Sequence, residues 1–470
     1  MERMNVGVVG LAVMGQNLVL NIEHRGYSVR VYNRTEERTQ RFIEERAVGK
    51  RIAASYTVAD WVNGLESPRK ILLMVKAGAP TDAMIKQILP LLEPGDVVMD
   101  GGNAHYADTE RRARQAAAVG VEYLGVGVSG GEYGALHGPS IMAGGSAAGY
   151  ESVKDLLLSI AAQGVQGPCC DYFGPGSAGH YVKMVHNGIE YAIMQVLAET
   201  YDLMKRGLGL SPAEMADELG AWNRGVLESY LVEITEKILR RNDPDTGTAL
   251  VERIRDTASQ KGTGKWSSQS ALDLGAPSPT IAAAVFGRII SALKPEREAA
   301  SCLLAGPEPR LALERFDAMA DLRHATLLTV IAAYAQGIRQ IQEASKEKEY
   351  GVDLSAVARV WMDGCIIRAR LLGDIAQAFS ECPDLPLLLL AEPFRSMWEN
   401  GHASLRRVAC AAHGAGIPVP AMSSTLDFVD AYRSSRLPAN LLQAQRDFFG
   451  AHTYERIDRE GTFHTDWEAA

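Results

Sequence analysis

The sequence predicts an α/β chain: a doubly wound N-terminal domain, then a large all-α domain and a C-terminal tail. Three observations predict it. Short, continuous apolar runs alternate with helical stretches over the first 178 residues. A glycine turn links the first such run to the first helical stretch. Beyond residue 180 the strand signal nearly vanishes and helix formers dominate. Uninterrupted β-branched runs suit strands buried on both faces of a parallel sheet, and their alternation with helices is the βαβ pattern.

Taken in order, the strands are "NVGVVG" (5–10), "SVRVYN" (28–33), "KILLMV" (70–75), "DVVMD" (96–100) and "EYLGVGV" (122–128). The turn "FGPGSAGH" (173–180) closes this part, so residues 1–178 are read as one domain. Residues 179–435 read as helices joined at "NDPDTG" (242–247), "GAPSP" (275–279), "AGPEP" (305–309) and "GIPVP" (416–420). Within them "GLGLS" (207–211) is echoed by "GVDLS" (351–355), and "WNRG" (222–225) by "WMDG" (361–364), which suggests an internal duplication. The tail, 436–470, is polar but carries Phe448, Phe449, Tyr454, Phe463 and Trp467. A free disordered tail is poorer in aromatics, so docking on a partner subunit is expected.

Composition excludes several function classes. The chain has 470 residues, 47% of them apolar, and a net charge of −9. That charge argues against a general nucleic-acid binder. Six cysteines are scattered without a Cys-x-x-Cys, so neither a disulfide framework nor a zinc site is read. No apolar run is long enough to span a bilayer, and the start "MERMNVGVVG" enters a strand with no room for a signal peptide. A cytoplasmic protein is expected.

"GVVGLAVMGQNL" places Gly10, Ala12 and Gly15 between a strand and a helix. Gly10 permits the tight turn, a small residue at 12 lets backbone approach a pyrophosphate, and Gly15 allows close packing of helix on strand. With the second strand at the right distance, the context reads as a Rossmann-like dinucleotide site. That strand normally ends in an acid that grips the ribose. Here it ends in Asn33, Arg34 and Thr35. Arg34 can pair with a 2′-phosphate through parallel N–H donors, and Asn33 and Thr35 can add neutral hydrogen bonds. NADP is therefore expected over NAD. Spacing alone also allows Arg34 to be a solvated helix-start residue.

"HYVKMVHNGIEYAIM" (180–194) puts Lys183, His186, Asn187, Glu190 and Tyr191 on one helical arc of roughly 140°. Apolar residues fill the positions between. A buried helix with one ionisable stripe needs polar company, because burying such groups unpaired costs several kcal/mol each. Either an internal Lys183–Glu190 salt bridge or acid–base chemistry beside a nicotinamide satisfies this. Burial would lower the lysine pKa, and a carboxylate partner would oppose the shift.

"MDGGN" (99–103) and "GVSGGEYG" (127–134) follow strand ends, where open α/β sheets bind ligands. Asn103, Ser129, Gly130 and Gly131 can offer neutral hydrogen bonds. "SQKGTGKWSS" (259–268) lacks the spacing of a nucleotide P-loop, but Lys261, Thr263 and its peptide N–H groups suit a single phosphate. Arg288, Arg446 and His452 are further candidates, although spacing alone reads each as surface charge.

Together "GLAVMG" (10–15), "NRT" (33–35), "DGGN" (100–103), "VSGGE" (128–132), "KMVHNGIEY" (183–191), "QKGTGKW" (260–266), "RLPANLLQAQRDFFGAHTYER" (436–456) and "FHTDW" (463–467) closely resemble the 6-phosphogluconate dehydrogenase family over essentially the whole length. The resemblance implies NADP-dependent oxidative decarboxylation. Lys183, neutral, would take the C3 hydroxyl proton while hydride passes from C3 to NADP. The 3-keto acid would then lose CO2 into its own carbonyl, so no metal is needed. Glu190 would protonate the enediol to give ribulose 5-phosphate.

The same resemblance assigns further roles. Gly10, Leu11, Ala12, Val13, Met14 and Gly15, Asn33–Thr35, Val75, Lys76, Ala77 and Asn103 would bind the cofactor. Asn103, Ser129, Gly130, Gly131, His186 and Asn187 would hold the sugar acid. Tyr191, Lys261, Thr263 and Arg288 would form the phosphate site. Arg446 and His452 would complete the site of the other subunit, which implies a homodimer. Tyr133, Ala143, Ala192, Ile193, Met362 and Asp363 depart from the family pattern, and Tyr133 and Ile193 are expected near the site. The competing reading is a related β-hydroxyacid dehydrogenase acting on an unphosphorylated acid. Lys261, Arg446 and His452 argue against it.

Overall fold

The computed structural model describes residues 3–260, 262–312 and 315–469, with backbone alone at 315 and 316. The chain divides into two compact units, residues 1–424 and 425–470.

The first unit opens with an eight-stranded sheet. Its strands are β1 (Val6–Val9), β2 (Val29–Tyr32), β3 (Ile52–Ala54), β4 (Lys70–Leu73), β5 (Val97–Asp100), β6 (Glu122–Val128), β7 (Ile141–Gly145) and β8 (Cys170–Tyr172). They lie in the order β8-β7-β6-β5-β4-β1-β2-β3. Neighbours are parallel except β6 and β7, which pair antiparallel. The five expected strands are present. β3, β7 and β8 are additional: β3 and β8 are three residues long, and β7, "IMAGG", ends in two glycines of poor strand propensity. The strand order reverses between β1 and β4, which opens a crevice above their C-terminal ends.

Six helices and their strands carry the residues of interest. They are α1 (Val13–His24), α2 (Glu36–Arg46), α3 (Tyr106–Ala117), α4 (Gly131–His137), α5 (Ala178–Asp202) and α6 (Thr263–Leu274). From α5 to residue 453 no strand occurs among the described residues. α5 is buried along most of its length and packs on β6 and β7, on α6, on α7 (Pro279–Ala292) and on the 33-residue α8 (Arg315–Glu347). The echoed segments lie at matching places. "GLGLS" joins α5 to the short helix Pro212–Trp222, and "GVDLS" joins α8 to the short helix Leu354–Val360. No described helix is long and apolar enough to cross a membrane.

The second unit holds α9 (Ala439–Gly450) and an antiparallel pair, β9 (Tyr454–Glu455) with β10 (Thr462–Phe463). Buried Asp447 ties it together. Its carboxylate accepts from the peptide N–H groups of Thr453 (2.9 Å) and Thr465 (3.0 Å) and from Trp467 Nε1 (2.8 Å), and it meets His464 Nδ1 at 2.9 Å.

Candidate active site

The turn after β1 is built for close backbone approach. Gly10 sits at φ +100°, and a Cβ there would lie 2.4 Å from the Met74 carbonyl oxygen in the loop after β4. A Cβ on Gly15 would lie 1.9 Å from the Gly10 carbonyl oxygen. The peptides of Ala12, Val13 and Met14 open α1, where N–H groups lack intrahelical acceptors and suit an anion. Leu11 itself is buried, and its N–H donates to Asn33 Oδ1 (3.1 Å). Asn33 Nδ2 donates to the Thr35 carbonyl (3.0 Å), so this side chain braces the turn. Arg34 and Thr35 are exposed at the tip of β2, and the first acids, Glu36 and Glu37, open α2 beyond them. Val75 and Ala77 are half-buried and Lys76 exposed in the facing loop.

On the other side of the crevice α5 brings three predicted residues together with a fourth from the loop after β6. Lys183 Nζ donates to Asn187 Oδ1 (2.7 Å) and Ser129 Oγ (3.1 Å) and meets His186 Nδ1 at 3.0 Å. His186 Nε2 lies 3.3 Å from Ser129 Oγ. Lys183 and His186 are both buried. An ammonium can donate to all three partners. A neutral amine can donate to two and keep its lone pair for a fourth direction. Burial pushes Lys183 down to about 8, and the Glu190 carboxylate opposes the drop. Burial, then the Lys183 charge, holds His186 well below its ordinary range. Glu190 is half-buried one turn on, its Oε2 3.9 Å from His186 Nδ1.

Asn103, at φ +52°, closes its carboxamide on Val128, donating to the carbonyl and accepting from the N–H, each at 3.1 Å. It thereby fixes the strand end that presents Ser129. Gly130 (φ +101°) caps α4, and a Cβ there would lie 2.5 Å from the Gly364 carbonyl oxygen. α1 grips this region through Asn17, whose Nδ2 donates to the Glu132 carbonyl at 2.8 Å.

Tyr191 and Arg288 meet face on, the guanidinium carbon 3.4 Å from the ring centroid. Thr263 is the first residue of α6, and a Cβ on Gly264 would overlap the Tyr191 ring at 2.5 Å. Lys261 lies outside the described residues. Arg446 and His452 belong to the second unit and are exposed; Arg446 Nη1 donates to Gln443 Oε1 (3.0 Å), and His452 packs edge-on to Phe449.

A family model described as the C-terminal domain of 6-phosphogluconate dehydrogenase matches residues 179–467, and one described as the NAD binding domain of 6-phosphogluconate dehydrogenase matches residues 5–174. The chain belongs to the 6-phosphogluconate dehydrogenase family. A relative from Synechococcus elongatus, named as the decarboxylating 6-phosphogluconate dehydrogenase, is 52% identical over 98% of both chains. A relative from Bacillus subtilis, named as NADP(+)-dependent and decarboxylating, is 51% identical over 99% of this chain and all of its own. The solved Plasmodium falciparum 6-phosphogluconate dehydrogenase superposes with a TM-score of 0.95 at 43% identity, over 98% of this chain and 100% of that one. That protein is described in its apo form, with its cofactor NADP+ and with its substrate 6-phosphogluconate.

The departures from the family pattern scatter. Ala143 and Ala192 are buried. Ile193 lines a small apolar cavity with Leu197, Leu227 and Tyr334. Tyr133 is exposed with its ring 4.3 Å from His137, and Met362 and Asp363 form the turn that leads to Gly364.

Sequence reasoning missed the seat on which α5 rests. A Cβ on Gly127 would lie 2.4 Å from Lys183 Cβ, one on Gly144 2.2 Å from the Gly179 nitrogen, and one on Gly179 2.5 Å from the Gly125 oxygen. Helix and sheet therefore touch backbone to backbone. Gly125 and Gly127 alternate along β6, and period two puts both on one face. That spacing is the signal that could have found the seat.

Proposed function

We propose that this chain carries out NADP-dependent oxidative decarboxylation of 6-phospho-D-gluconate to D-ribulose 5-phosphate, CO2 and NADPH. The observation that carries the reading is Lys183, buried yet hydrogen-bonded to Ser129 and Asn187 and held at about 8, on the ligand-binding edge of a dinucleotide sheet. The residues present fit NADP. The glycine turn 10–15 leaves no side chain between backbone and a pyrophosphate, and Arg34 is exposed where a 2′-phosphate would need a cation. Val75, Lys76, Ala77 and Asn103 would line the same crevice. Bound there, the nicotinamide supplies the hydride acceptor.

Lys183 in its neutral form takes the proton of the C3 hydroxyl. Asn187 Oδ1, Ser129 Oγ and His186 Nδ1 then hold the new ammonium. The C1–C2 bond of the 3-keto acid breaks, and its electron pair moves toward the C3 oxygen, where the Lys183 ammonium offsets the growing charge and returns the proton. Glu190 protonates the carbon that lost CO2 while Lys183, neutral again, takes the enol proton from the C3 oxygen, which leaves the ketone. Asn103, Ser129, Gly130, Gly131, His186 and Asn187 hold the sugar acid, and Tyr191, Lys261, Thr263 and Arg288 its phosphate.

We read the enzyme as a cytoplasmic homodimer in which Arg446 and His452 of the tail complete the site of the other subunit. Exposed Leu441, Leu442, Phe448 and Phe449 on α9, and Phe286 and Ile290 on α7, support an assembly that covers them. A chain ending at residue 435 should lose turnover and change its sedimentation; retention of both would remove the tail from the site.

The test of the reaction supplies 6-phosphogluconate or gluconate with NADP or NAD and follows reduced cofactor and CO2 together. Equal amounts of NADPH and CO2 from the phosphorylated acid are expected. Turnover of gluconate at an equal kcat/KM would overturn the assignment of the substrate.

A further inference from the structure

A buried chain of hydrogen bonds runs from the loop after β4, beneath the crevice, to the helix that carries Lys183. Arg112 of α3 is fully buried, donating through Nη2 to the Gly78 carbonyl (3.0 Å) and through Nε to Asp82 Oδ1 (2.8 Å). Its Nη1 reaches Asp100 Oδ2 at 3.4 Å, and Tyr123 donates to the same oxygen at 2.9 Å. Asp100 ends β5, and its Oδ1 accepts from the Gly102 N–H (3.0 Å), shaping the loop that leads to Asn103. The Asp100 carbonyl meets His180 Nε2 at 2.9 Å, and His180 Nδ1 meets Thr109 Oγ1 at 2.7 Å. His180 stands three residues before Lys183, one turn back on α5.

The chemistry of these partners fixes the imidazole. A carbonyl oxygen only accepts, so Nε2 carries the proton. In the neutral ring Nδ1 is then a lone pair that accepts from the Thr109 hydroxyl at 2.7 Å, the shorter of that hydroxyl's two contacts, the other being the His105 carbonyl at 3.2 Å. Burial lowers the pKa of His180, in keeping with a neutral ring. The ring packs directly on Gly125, where a Cβ would lie 2.9 Å from Nδ1 and 2.8 Å from Thr109 Cγ2.

We propose that His180 is a positioning residue, one that sets the height of Lys183 against the cofactor-side loops 75–78 and 101–103. The proposal rests on the reading of Lys183 as the base. Hydride leaves C3 as the proton leaves its oxygen, so the lysine and the cofactor loops must keep one fixed offset. Arg112 and Asp100 hold the loops together, and His180 is the link from that pair to α5. Small displacements of such a constellation are costly, up to about a hundredfold for 1 Å.

The test uses the full-length enzyme, with 6-phosphogluconate carrying hydrogen or deuterium at C3. His180→Leu should lower kcat about tenfold or more and enlarge the deuterium effect on kcat, because hydride transfer becomes slower than the steps that mask it. KM for substrate and for NADP should stay within about twofold. His180→Gln, whose amide N–H can reach the Asp100 carbonyl, should restore most of the loss. Unchanged kcat and isotope effect in a folded His180→Leu enzyme would overturn the proposal. So would a loss that follows only the fall in melting temperature, with the parent isotope effect and no rescue by glutamine. Should His180→Leu fail to fold, Thr109→Val against Thr109→Ser carries the same comparison. Lys183→Ala separates the two readings: activity in that variant removes the base itself, whereas an inert Lys183→Ala beside a fully active His180→Leu removes only the positioning role.

Discussion

Arg288 lies flat against Tyr191, its guanidinium carbon 3.4 Å from the ring centroid, and this stack joins α7 to the ionisable face of α5. The ring holds the guanidinium plane, and its edge nitrogens reach only weak partners, Nη1 the Ser259 carbonyl and Nη2 Met194 Sδ, each at 3.4 Å, contacts that a phosphate would replace. Lysine cannot stack in this way. Arg288→Lys should raise KM for 6-phosphogluconate about tenfold with little change in kcat, and should narrow the preference over gluconate. Steady-state kinetics on both acids checks this; an unchanged ratio removes Arg288 from the phosphate site.

Lys183 links rate to pH. In the proposed mechanism the lysine acts in its neutral form, and burial holds it at about 8. The neutral fraction falls tenfold for each pH unit below that value, so kcat/KM should decline with unit slope on the acid side of pH 8. A profile flat down to pH 6 would contradict a lysine base.

The same burial links stability to pH. The folded pKa of Lys183, about 8, lies below the ordinary value of 10.5. Below about 8 both folded and unfolded chains hold the proton, and the full burial penalty applies. Between 8 and 10.5 only the unfolded chain holds it, so stability from this site rises with pH, by about 3 kcal/mol in all. Urea melts from pH 7 to pH 10 should show this rise in the parent and lose it in Lys183→Met. Parallel curves for the two would mean that the lysine is not desolvated as described.

Arg34 stands exposed at the tip of β2 with no carboxylate among residues 33–35. A charge-assisted hydrogen bond is worth about 1.5–3 kcal/mol, so Arg34→Asp should shift the NADP to NAD ratio of kcat/KM by about ten- to a hundredfold. Cofactor titrations at fixed 6-phosphogluconate measure it. Equal loss for both cofactors would assign Arg34 to the fold instead.

Gly127 supports Lys183 by having no side chain, since a Cβ there would lie 2.4 Å from the lysine Cβ. Gly127→Ala should cost about 1–3 kcal/mol of stability and lower kcat in the protein that remains folded. Thermal melts with kinetics at 20 °C below the transition separate the two effects. Parent values for both would mean that α5 shifts freely on the sheet.

Much of this was legible in the sequence for physical reasons. Continuous burial writes itself as β-branched runs, so β1, β2, β4, β5 and β6 could be read, and the dinucleotide turn followed from Gly10 and Gly15. The stripe from Lys183 to Tyr191 was legible because polar residues at helical spacing violate an otherwise apolar face. β3 and β8 were too short to show a period, and the glycines of β7 hid a strand. Asn33 and Asn103 read as ligand donors, but their carboxamides also brace the backbones of Leu11 and Val128, a contact fixed only by the fold. His180 and Asp100 looked like ordinary polar residues beside two motifs. Their link spans 80 positions, and no local pattern records it.

The bare contact between α5 and the sheet also bears on heredity. Glycine codons share their first two bases, so any change at either base adds a side chain or ends the protein. At 125, 127, 144 and 179 the smallest such addition, a methyl group, meets atoms of the opposing element, within 3 Å at every one of the four. These positions can drift only through silent third-base changes, whereas exposed Tyr133 a few residues away is free to vary. In a saturation library selected for growth on gluconate, they should form a sharply intolerant quartet, including alanine.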